Sequence, residues 1–186
     1  NSQENLFQYT KFDYANSRYD VIGGYVDFFG AISTYHSQVD ISYSSFSNND
    51  FAIHTRYNLD TNISYNILYN NIDGIYIYNS SSHQIPVNID NNFINNCGRG
   101  IYGIEYYGGD NFAQITNNTI SHCSSSGIRC EETSATISDN IIENNNFGIM
   151  CRFRSSQIEN NIVRNNSRGI SSVGANCNIL NNYVNN

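Results

Sequence analysis

The chain has 186 residues, a net charge of −7 and only nine basic residues, so a basic surface for nucleic acid is not expected. No run of about 20 apolar residues occurs, and we predict no membrane insertion. The abundance of Asn, Ser, Tyr and Gly is typical of a protein that is extracellular or lies at the cell surface.

Apolar and polar residues recur at nearly fixed positions along the chain. In each repeat an Ile is followed three residues later by a polar residue, and two residues after that by another apolar residue. The repeats begin at Ile41, Ile63, Ile89, Ile115, Ile137, Ile158 and Ile179, at intervals of 21 to 26 residues. A period in this range indicates stacked supersecondary units. The short runs between turn residues are rich in Ile, Val, Tyr, Phe and Thr, which favours strands.

A second register predicts three strands per coil. A small residue followed by Ile recurs at Ile32, Ile53, Ile75, Ile101, Ile128, Ile149 and Ile170. The polar position of the first register is occupied by Ser44, Asn66, Asn92, Asn118, Asn140, Asn161 and Asn182. Amides stacked about 4.8 Å apart can hydrogen-bond to each other in a buried ladder. We therefore predict an all-β solenoid, a parallel β-helix of about eight coils with an Asn ladder.

The first coil, an insertion and two longer turns depart from this regular pattern. The first coil fits more loosely, with Phe7, Thr10 and Phe12 in its three positions. An insertion is predicted at about residues 15–30, and longer turns at residues 79–86 and 105–112. Residues 1–186 are predicted to form a single β-helix domain. Because neither end carries a recognisable capping element, we expect an uncapped fragment of a longer chain with flanking domains.

The motif Ile-x-x-Asn-x-Ile, with Asn-Asn pairs and Gly-Ile further along each coil, covers about residues 39–186. It resembles the right-handed parallel β-helix superfamily that includes pectate lyases and other polysaccharide-acting proteins. The resemblance implies that polysaccharide binds along the outer face of the sheet that begins at the Gly-Ile position. Fold is indicated more strongly than chemistry, because function depends on sites placed on the fold.

Side chains on that sheet alternate inward and outward, so two outward columns can be read from the sequence. Their middle coils are rich in Tyr, Arg, His and Glu. The predicted substrate-binding residues are Tyr76, Tyr78, Tyr102, Arg56 and Arg152. A plain solvated sheet remains the alternative, because Tyr pairs and surface ion pairs also stabilise sheets without a ligand.

Catalysis is left open between a glycoside hydrolase, a polysaccharide lyase and no enzyme. A hydrolase needs two carboxylates roughly 5 to 9.5 Å apart, and Glu131 and Glu105 are the best pair if Gly103 turns Glu105 outward. His54 and Arg129 are further candidates for proton transfer. No cofactor is predicted. Calcium, which the resemblance implies for some lyases, is the one open case, although no acidic cluster is evident.

Two cysteine pairs occupy equivalent positions in successive coils, Cys97 with Cys123 and Cys130 with Cys151. Free buried thiols and disulfides both remain open, because parallel stacking separates the β-carbons more than a disulfide prefers. The sequence predicts a secreted or surface domain that binds, and in one reading cleaves, an extended polysaccharide. The alternative function is a non-catalytic stalk, adhesin or surface-layer module.

Overall fold

The computed structural model describes residues 5–13, 30–35, 37–57, 60–79, 86–105 and 113–186. Every regular element within these ranges is a β-strand. The predicted insertion at about 15–30 and most of the longer turns at 79–86 and 105–112 lie outside the described residues.

Twenty-three short strands follow one another along the chain. They are β1 (Asn5–Gln8), β2 (Lys11–Asp13), β3 (Ile32–Tyr35), β4 (Val39–Ser42), β5 (Ser45–Ser47), β6 (Phe51–Arg56), β7 (Thr61–Ser64), β8 (Ile67–Tyr69), β9 (Asp73–Asn79), β10 (Val87–Asp90), β11 (Phe93–Asn95), β12 (Arg99–Glu105), β13 (Ala113–Thr116), β14 (Thr119–Ser121), β15 (Ser126–Glu131), β16 (Ala135–Ser138), β17 (Ile141–Glu143), β18 (Phe147–Arg152), β19 (Gln157–Glu159), β20 (Ile162–Arg164), β21 (Arg168–Val173), β22 (Asn178–Leu180) and β23 (Tyr183–Asn185).

Every third strand joins the same parallel sheet. The first sheet runs from β1 through β4 to β22, the second from β2 through β5 to β23, and the third from β3 through β6 to β21. Six complete three-strand coils, β4 to β21, lie between a first coil that contains the undescribed residues 14–29 and a last one with two strands. The predicted all-β parallel solenoid is confirmed. The predicted eight coils are slightly too many when only complete coils are counted.

The core consists of aligned apolar columns. Ile41, Ile63, Ile89, Ile115 and Ile137 are paired through successive strands of the first sheet and have no exposed surface. Burial of an Ile side chain stabilises the fold by about 1.5–3 kcal/mol. Because each core column repeats through every coil, the strand register is fixed, and in the first sheet both neighbours of each core Ile are held on the outer face.

The predicted Asn ladder lies at the bend between the first and second sheets. From Asn66 to Asn161 each side-chain Nδ2 donates to Oδ1 of the Asn in the next coil, at 2.9 to 3.1 Å. Each of these Oδ1 atoms also accepts the backbone N–H of the Asn one coil before, so the amide caps the bend as well as joining the coils. The prediction that these amides are buried is confirmed.

A second ladder lies at the bend between the second and third sheets. Asn49 donates to Asn71 at 2.9 Å, and Asn145 donates to Asn166 at 3.0 Å. Cys97 and Cys123 occupy the two positions between these pairs, and Asn71 Nδ2 lies 4.0 Å from Cys97 Sγ. The thiols therefore interrupt an amide ladder, and all five cysteines of the chain are free.

The two ladder thiols predict a loss of stability at high pH. Burial raises the pKa of Cys97 from 9.0 to about 11, and it raises the pKa of Cys123 to about 12. The folded state thus retains these protons at pH values where the unfolded chain releases them. Their contribution to stability is complete below about pH 9 and disappears as the pH rises toward 11 and 12.

We expect the free energy of unfolding in urea to fall above pH 9 by up to about 1.4 kcal/mol per pH unit for each thiol. The double variant Cys97→Ala/Cys123→Ala starts from a lower stability at neutral pH, but its decline above pH 9 is shallower. Parallel pH profiles for the two proteins would contradict this assignment.

Candidate functional site

The outer face of the third sheet carries three aligned columns. The first contains Phe51, Asp73, Arg99, Ser126, Phe147 and Arg168. The second contains Ser33, His54, Tyr76, Tyr102, Arg129, Met150 and Ser171. The third contains Tyr35, Arg56, Tyr78, Ile104, Glu131, Arg152 and Val173. The second and third columns are aligned as the sequence predicts, whereas the first was not identified from the sequence.

Three rings of the second column are stacked on each other. The ring centroids of His54 and Tyr76 are 4.9 Å apart, and those of Tyr76 and Tyr102 are 5.2 Å apart. His54 is 3% exposed and Tyr102 is 7% exposed, while Tyr76 is half-buried. Since these ring faces contact each other, the stack mainly stiffens the sheet, and direct stacking of a ligand on His54 or Tyr102 is blocked.

Glu131 is the centre of a charged cluster beside this stack. Its carboxylate accepts hydrogen bonds from both Nε and Nη2 of Arg129, at 2.9 to 3.2 Å, and from Nη1 of Arg152 at 2.9 Å. The Tyr102 hydroxyl donates to Glu131 Oε2 at 3.0 Å. Burial, reinforced by the negative charge of Glu131, raises the pKa of Tyr102. The Glu131 carboxylate is therefore held between the guanidinium groups of Arg129 and Arg152, close to the solvent-accessible surface.

The expected outward turn of Glu105 is not found. Glu105 is 3% exposed and follows Ile101 and Gly103 in the inward alternation of β12, and its Oε2 accepts a hydrogen bond from Thr133 at 3.3 Å. Gly103 does not change the alternation, because it stays in register with Ile77 and Cys130 in the adjacent strands. Glu105 and Glu131 consequently lie on opposite sides of the sheet.

A second aromatic cluster surrounds Arg56 in the third column. The Arg56 guanidinium carbon lies 4.7 Å from the ring centroid of Tyr78, 5.0 Å from that of Tyr57 and 5.9 Å from that of Tyr35. These are cation–π distances. Arg56 and Tyr78 are half-buried, so this part of the outer face presents both a cation and aromatic edges to solvent.

The first column supplies an ion pair that sequence reasoning missed. Arg99 Nε donates to Asp73 Oδ1 at 2.6 Å, and its Nη2 donates to the other carboxylate oxygen. The Arg99 guanidinium carbon also lies 4.1 Å from the ring centroid of Tyr102. Burial acts to lower the pKa of Arg99, but the hydrogen bonds and charge of Asp73 outweigh it and raise this pKa. The sequence did contain a signal for this ion pair, because the oppositely charged Asp73 and Arg99 are one coil apart.

Positive charge is concentrated on the outer face although the whole chain is acidic. Among the described residues of the three columns, the arginines are Arg56, Arg99, Arg129, Arg152 and Arg168. The carboxylates of the same columns are Asp73 and Glu131. The chain has a net charge of −7, so this face attracts anions more strongly than the rest of the surface does.

The described residues contain no group of three or more His, Cys, Asp or Glu side chains that could hold a metal ion. Within the same part of the chain, no helix is long and apolar enough to cross a membrane.

A family model described as NosD, periplasmic copper-binding protein, matches residues 16–186. No curated protein and no solved structure matches the chain significantly. The NosD family has a right-handed parallel β-helix fold like that of the pectate lyases, which confirms the resemblance noted in the sequence. The periplasmic location in the family description agrees with the expected place outside the cytoplasm. Because the match covers most of its length, the chain belongs to the NosD family of periplasmic β-helix proteins.

Proposed function

We propose that this β-helix binds an extended, acidic polysaccharide along the outer face of the third sheet. The observation that carries the proposal is the succession of aromatic and guanidinium groups in neighbouring coils, from Arg56 and Tyr78 to Arg129, Glu131 and Arg152. Strands of one sheet are about 4.8 Å apart, so five coils present a line of contacts about 19 Å long.

The chemistry of these groups suits uronate sugars. Guanidinium groups bind carboxylates through paired, charge-assisted hydrogen bonds. Arg152 has a side chain that is 35% exposed, and only one of its nitrogens is engaged by Glu131. It therefore retains donors for a ligand. Tyr78 provides an aromatic edge three strands away in the same column, next to Arg56 at the other end of the line.

The geometry supports binding more than cleavage. The pair Glu131 and Glu105 lies on opposite sides of the sheet, so it does not form the facing carboxylates that hydrolysis requires. A lyase base must be free to accept a proton, whereas Arg129 donates three hydrogen bonds to Glu131. His54 is buried in the ring stack rather than presented to a ligand.

Binding of polygalacturonate, followed by affinity electrophoresis or calorimetry, tests the proposal. We expect Tyr78→Ala and Arg152→Ala each to weaken binding by about tenfold, which corresponds to about 1.4 kcal/mol. Neither unsaturated sugars nor new reducing ends should accumulate, because binding without cleavage leaves the polymer intact.

Two surface residues outside the third sheet provide matched controls. Tyr65 is an exposed ring stacked on Tyr43, and Arg164 is an exposed arginine paired with Glu143. Tyr65→Ala and Arg164→Ala should change polymer affinity less than about twofold, since such substitutions act only locally. Failure to bind any acidic or neutral polymer would reject the proposal in favour of a structural stalk, adhesin or surface-layer module. Equal losses in all four variants would reject the site.

Copper is the metal that the family description names. The described residues contain no group of three or more His, Cys, Asp or Glu side chains that could hold a metal ion. Cys130 and Cys151 are aligned in adjacent strands, but the contact with Cys130 and burial raise the pKa of the Cys151 thiol, which disfavours the thiolate that Cu(I) would need. The described residues therefore do not fit a copper site.

A further inference from the structure

A row of exposed tyrosine rings runs along the bend between the first and second sheets. Tyr9, Tyr43 and Tyr65 occupy equivalent positions in three successive coils. The ring centroids of Tyr9 and Tyr43 are 5.3 Å apart, and those of Tyr43 and Tyr65 are 5.0 Å apart, with interplanar angles of 17° and 4°. All three side chains are exposed, so the row presents a stacked aromatic surface to solvent.

The backbone at this bend disfavours tyrosine. The three tyrosines have φ values of 50° to 56°, in the left-handed region where bulky side chains are uncommon. Asn and Asp tolerate this conformation better, and they occupy the equivalent position of the next five coils, at Asn91, Asn117, Asp139, Asn160 and Asn181. Because Asn fits the same bend in the other coils, the fold itself does not require the tyrosines. Strained residues that the fold does not require point to a function.

The row of tyrosines ends at a groove on the outer face of the first sheet. One face of Tyr65 is stacked on Tyr43, so the other face is directed toward the next coil, where the smaller Asn91 takes the equivalent position. Tyr65 lines a groove of about 490 Å³. The other lining residues used below are Asp40, Asn62, Asn88, Asp90 and Gln114. The groove therefore combines one aromatic face with amides and carboxylates.

The amides of the groove form a row of hydrogen-bonding groups in adjacent strands. Asn62, Asn88 and Gln114 are aligned on β7, β10 and β13. Asn88 Nδ2 donates to Asn62 Oδ1 at 2.8 Å, and within the described residues the Asn62 Nδ2 and the Asn88 Oδ1 are not engaged. Gln114 is exposed. Because an amide carries both donors and an acceptor, this row can bind hydroxyl groups in either direction.

The charge of this face excludes an acidic ligand. The outward positions of the described strands in the first sheet contain Asp40, Asp90 and Glu159 and no Lys, Arg or His. Asp90 is already engaged, because it accepts hydrogen bonds from Thr116 at 2.8 Å and from Asn117 at 2.9 Å. The face thus repels the acidic polymer that the arginines of the third sheet attract.

We propose that this groove binds an uncharged glycan. One sugar ring packs its apolar C–H face on the free face of Tyr65, and its hydroxyl groups form hydrogen bonds with Asn62, Asn88 and Gln114. Tyrosine suits this role because it offers a large apolar surface together with a polar hydroxyl. The groove lies on a different sheet from the face proposed to bind an acidic polymer, so the two sites act independently.

Affinity electrophoresis in native gels that contain uncharged polymers of glucose, mannose, galactose or xylose tests the inference. We expect at least one of these polymers to retard the unchanged chain. Tyr65→Asn should weaken that binding by about tenfold, as the loss of an aromatic residue at the centre of a binding site does. Gln114→Ala should weaken it by about threefold, the effect of losing one hydrogen bond.

Unfolding in urea separates a binding role of Tyr65 from a structural one. Asn is the residue that other coils carry at this bend, so Tyr65→Asn should leave the urea midpoint unchanged or raise it. Tyr9→Asn is the matched control, because it makes the same change in the same row at a ring that does not line the groove. Its affinity for the uncharged polymer should stay within about twofold of that of the unchanged chain.

Four results would overturn the inference. They are no retardation by any uncharged polymer, retardation by the cationic glycan chitosan alone, equal losses of affinity in Tyr9→Asn and Tyr65→Asn, and a lower urea midpoint of Tyr65→Asn with unchanged affinity. Binding of the uncharged polymer that falls in Arg152→Ala and not in Tyr65→Asn would also overturn it, by placing the glycan on the third sheet. Affinity for polygalacturonate should be the same in Tyr65→Asn as in the unchanged chain, so this site and the acidic-polymer site can fail separately.

Discussion

Asn118→Ala should lower the free energy of unfolding by about 3–5 kcal/mol, a loss at the upper end of what single substitutions cause. The Asn118 side chain donates to the carbonyl oxygens of Ile89 and Thr116 and to Asn140 Oδ1, and it accepts from Asn92 through two hydrogen bonds. Alanine would leave several buried donors and acceptors without partners. Each such group costs about 1–3 kcal/mol, and the coil can relax to recover only part of this.

Chemical denaturation of Asn118→Ala provides the measurement, and Gln114→Ala provides the matched control. Gln114 lies on the same coil but is exposed, so its removal should change stability by less than about 0.5 kcal/mol. Asn118→Ser should fall between the two. Ser44 occupies the equivalent position at the N-terminal end of the ladder and shows which hydrogen bonds of Asn a serine can replace. Its Oγ accepts from the Thr10 backbone N–H and donates to the Ser42 carbonyl oxygen. Equal stabilities of Asn118→Ala and Gln114→Ala would refute the structural role of the ladder.

The alignment of columns could be predicted from the sequence because the pleat dictates it. Once the core Ile positions are assigned, the period of two places every neighbouring residue inside or outside. The small residue before each Ile also has a simple cause. A Cβ on Gly100 would lie 2.5 Å from the carbonyl oxygen of Gly127, so the bend allows only the smallest side chains there. These features repeat in every coil and are visible as a period.

Features that depend on a choice between neighbours could not be predicted. In pairs such as Asn70-Asn71 either amide could have been the buried one. The structure gives the first residue a φ of 56° at the surface and buries the second in the ladder. Simple alternation along β12 places Glu105 inward, but its hydrogen bond with Thr133, a residue of the next coil, could not be predicted from that alternation. The stacking of His54 on Tyr76 likewise depends on ring orientation, which a residue column does not specify.

Asp73→Asn should lower the free energy of unfolding by about 2–4 kcal/mol, because it leaves the Arg99 guanidinium half-buried without its counter-charge. The Asp73 side chain is only 1% exposed and that of Arg99 is 29% exposed. Arg99 also contacts the Tyr102 ring, whose hydroxyl donates to Glu131. The pair therefore supports the ring stack and the charged cluster together, and we expect polymer affinity to fall along with stability.

The pair formed by Arg164 and Glu143 offers a matched control in the second sheet. Its Nε to Oε2 distance is also 2.6 Å and its partners are also one coil apart, but the two side chains are 48% and 23% exposed. Glu143→Gln should cost less than about 1 kcal/mol, and added salt should reduce this further. A double-mutant cycle with Asp73→Asn and Arg99→Met separates the coupling of the buried pair from the loss of packing. Equal costs for Asp73→Asn and Glu143→Gln would mean that burial does not strengthen the first pair. The structure of the outer face would then depend on its ring stack alone. In that case Asp73→Asn would not lower the affinity for an acidic polymer.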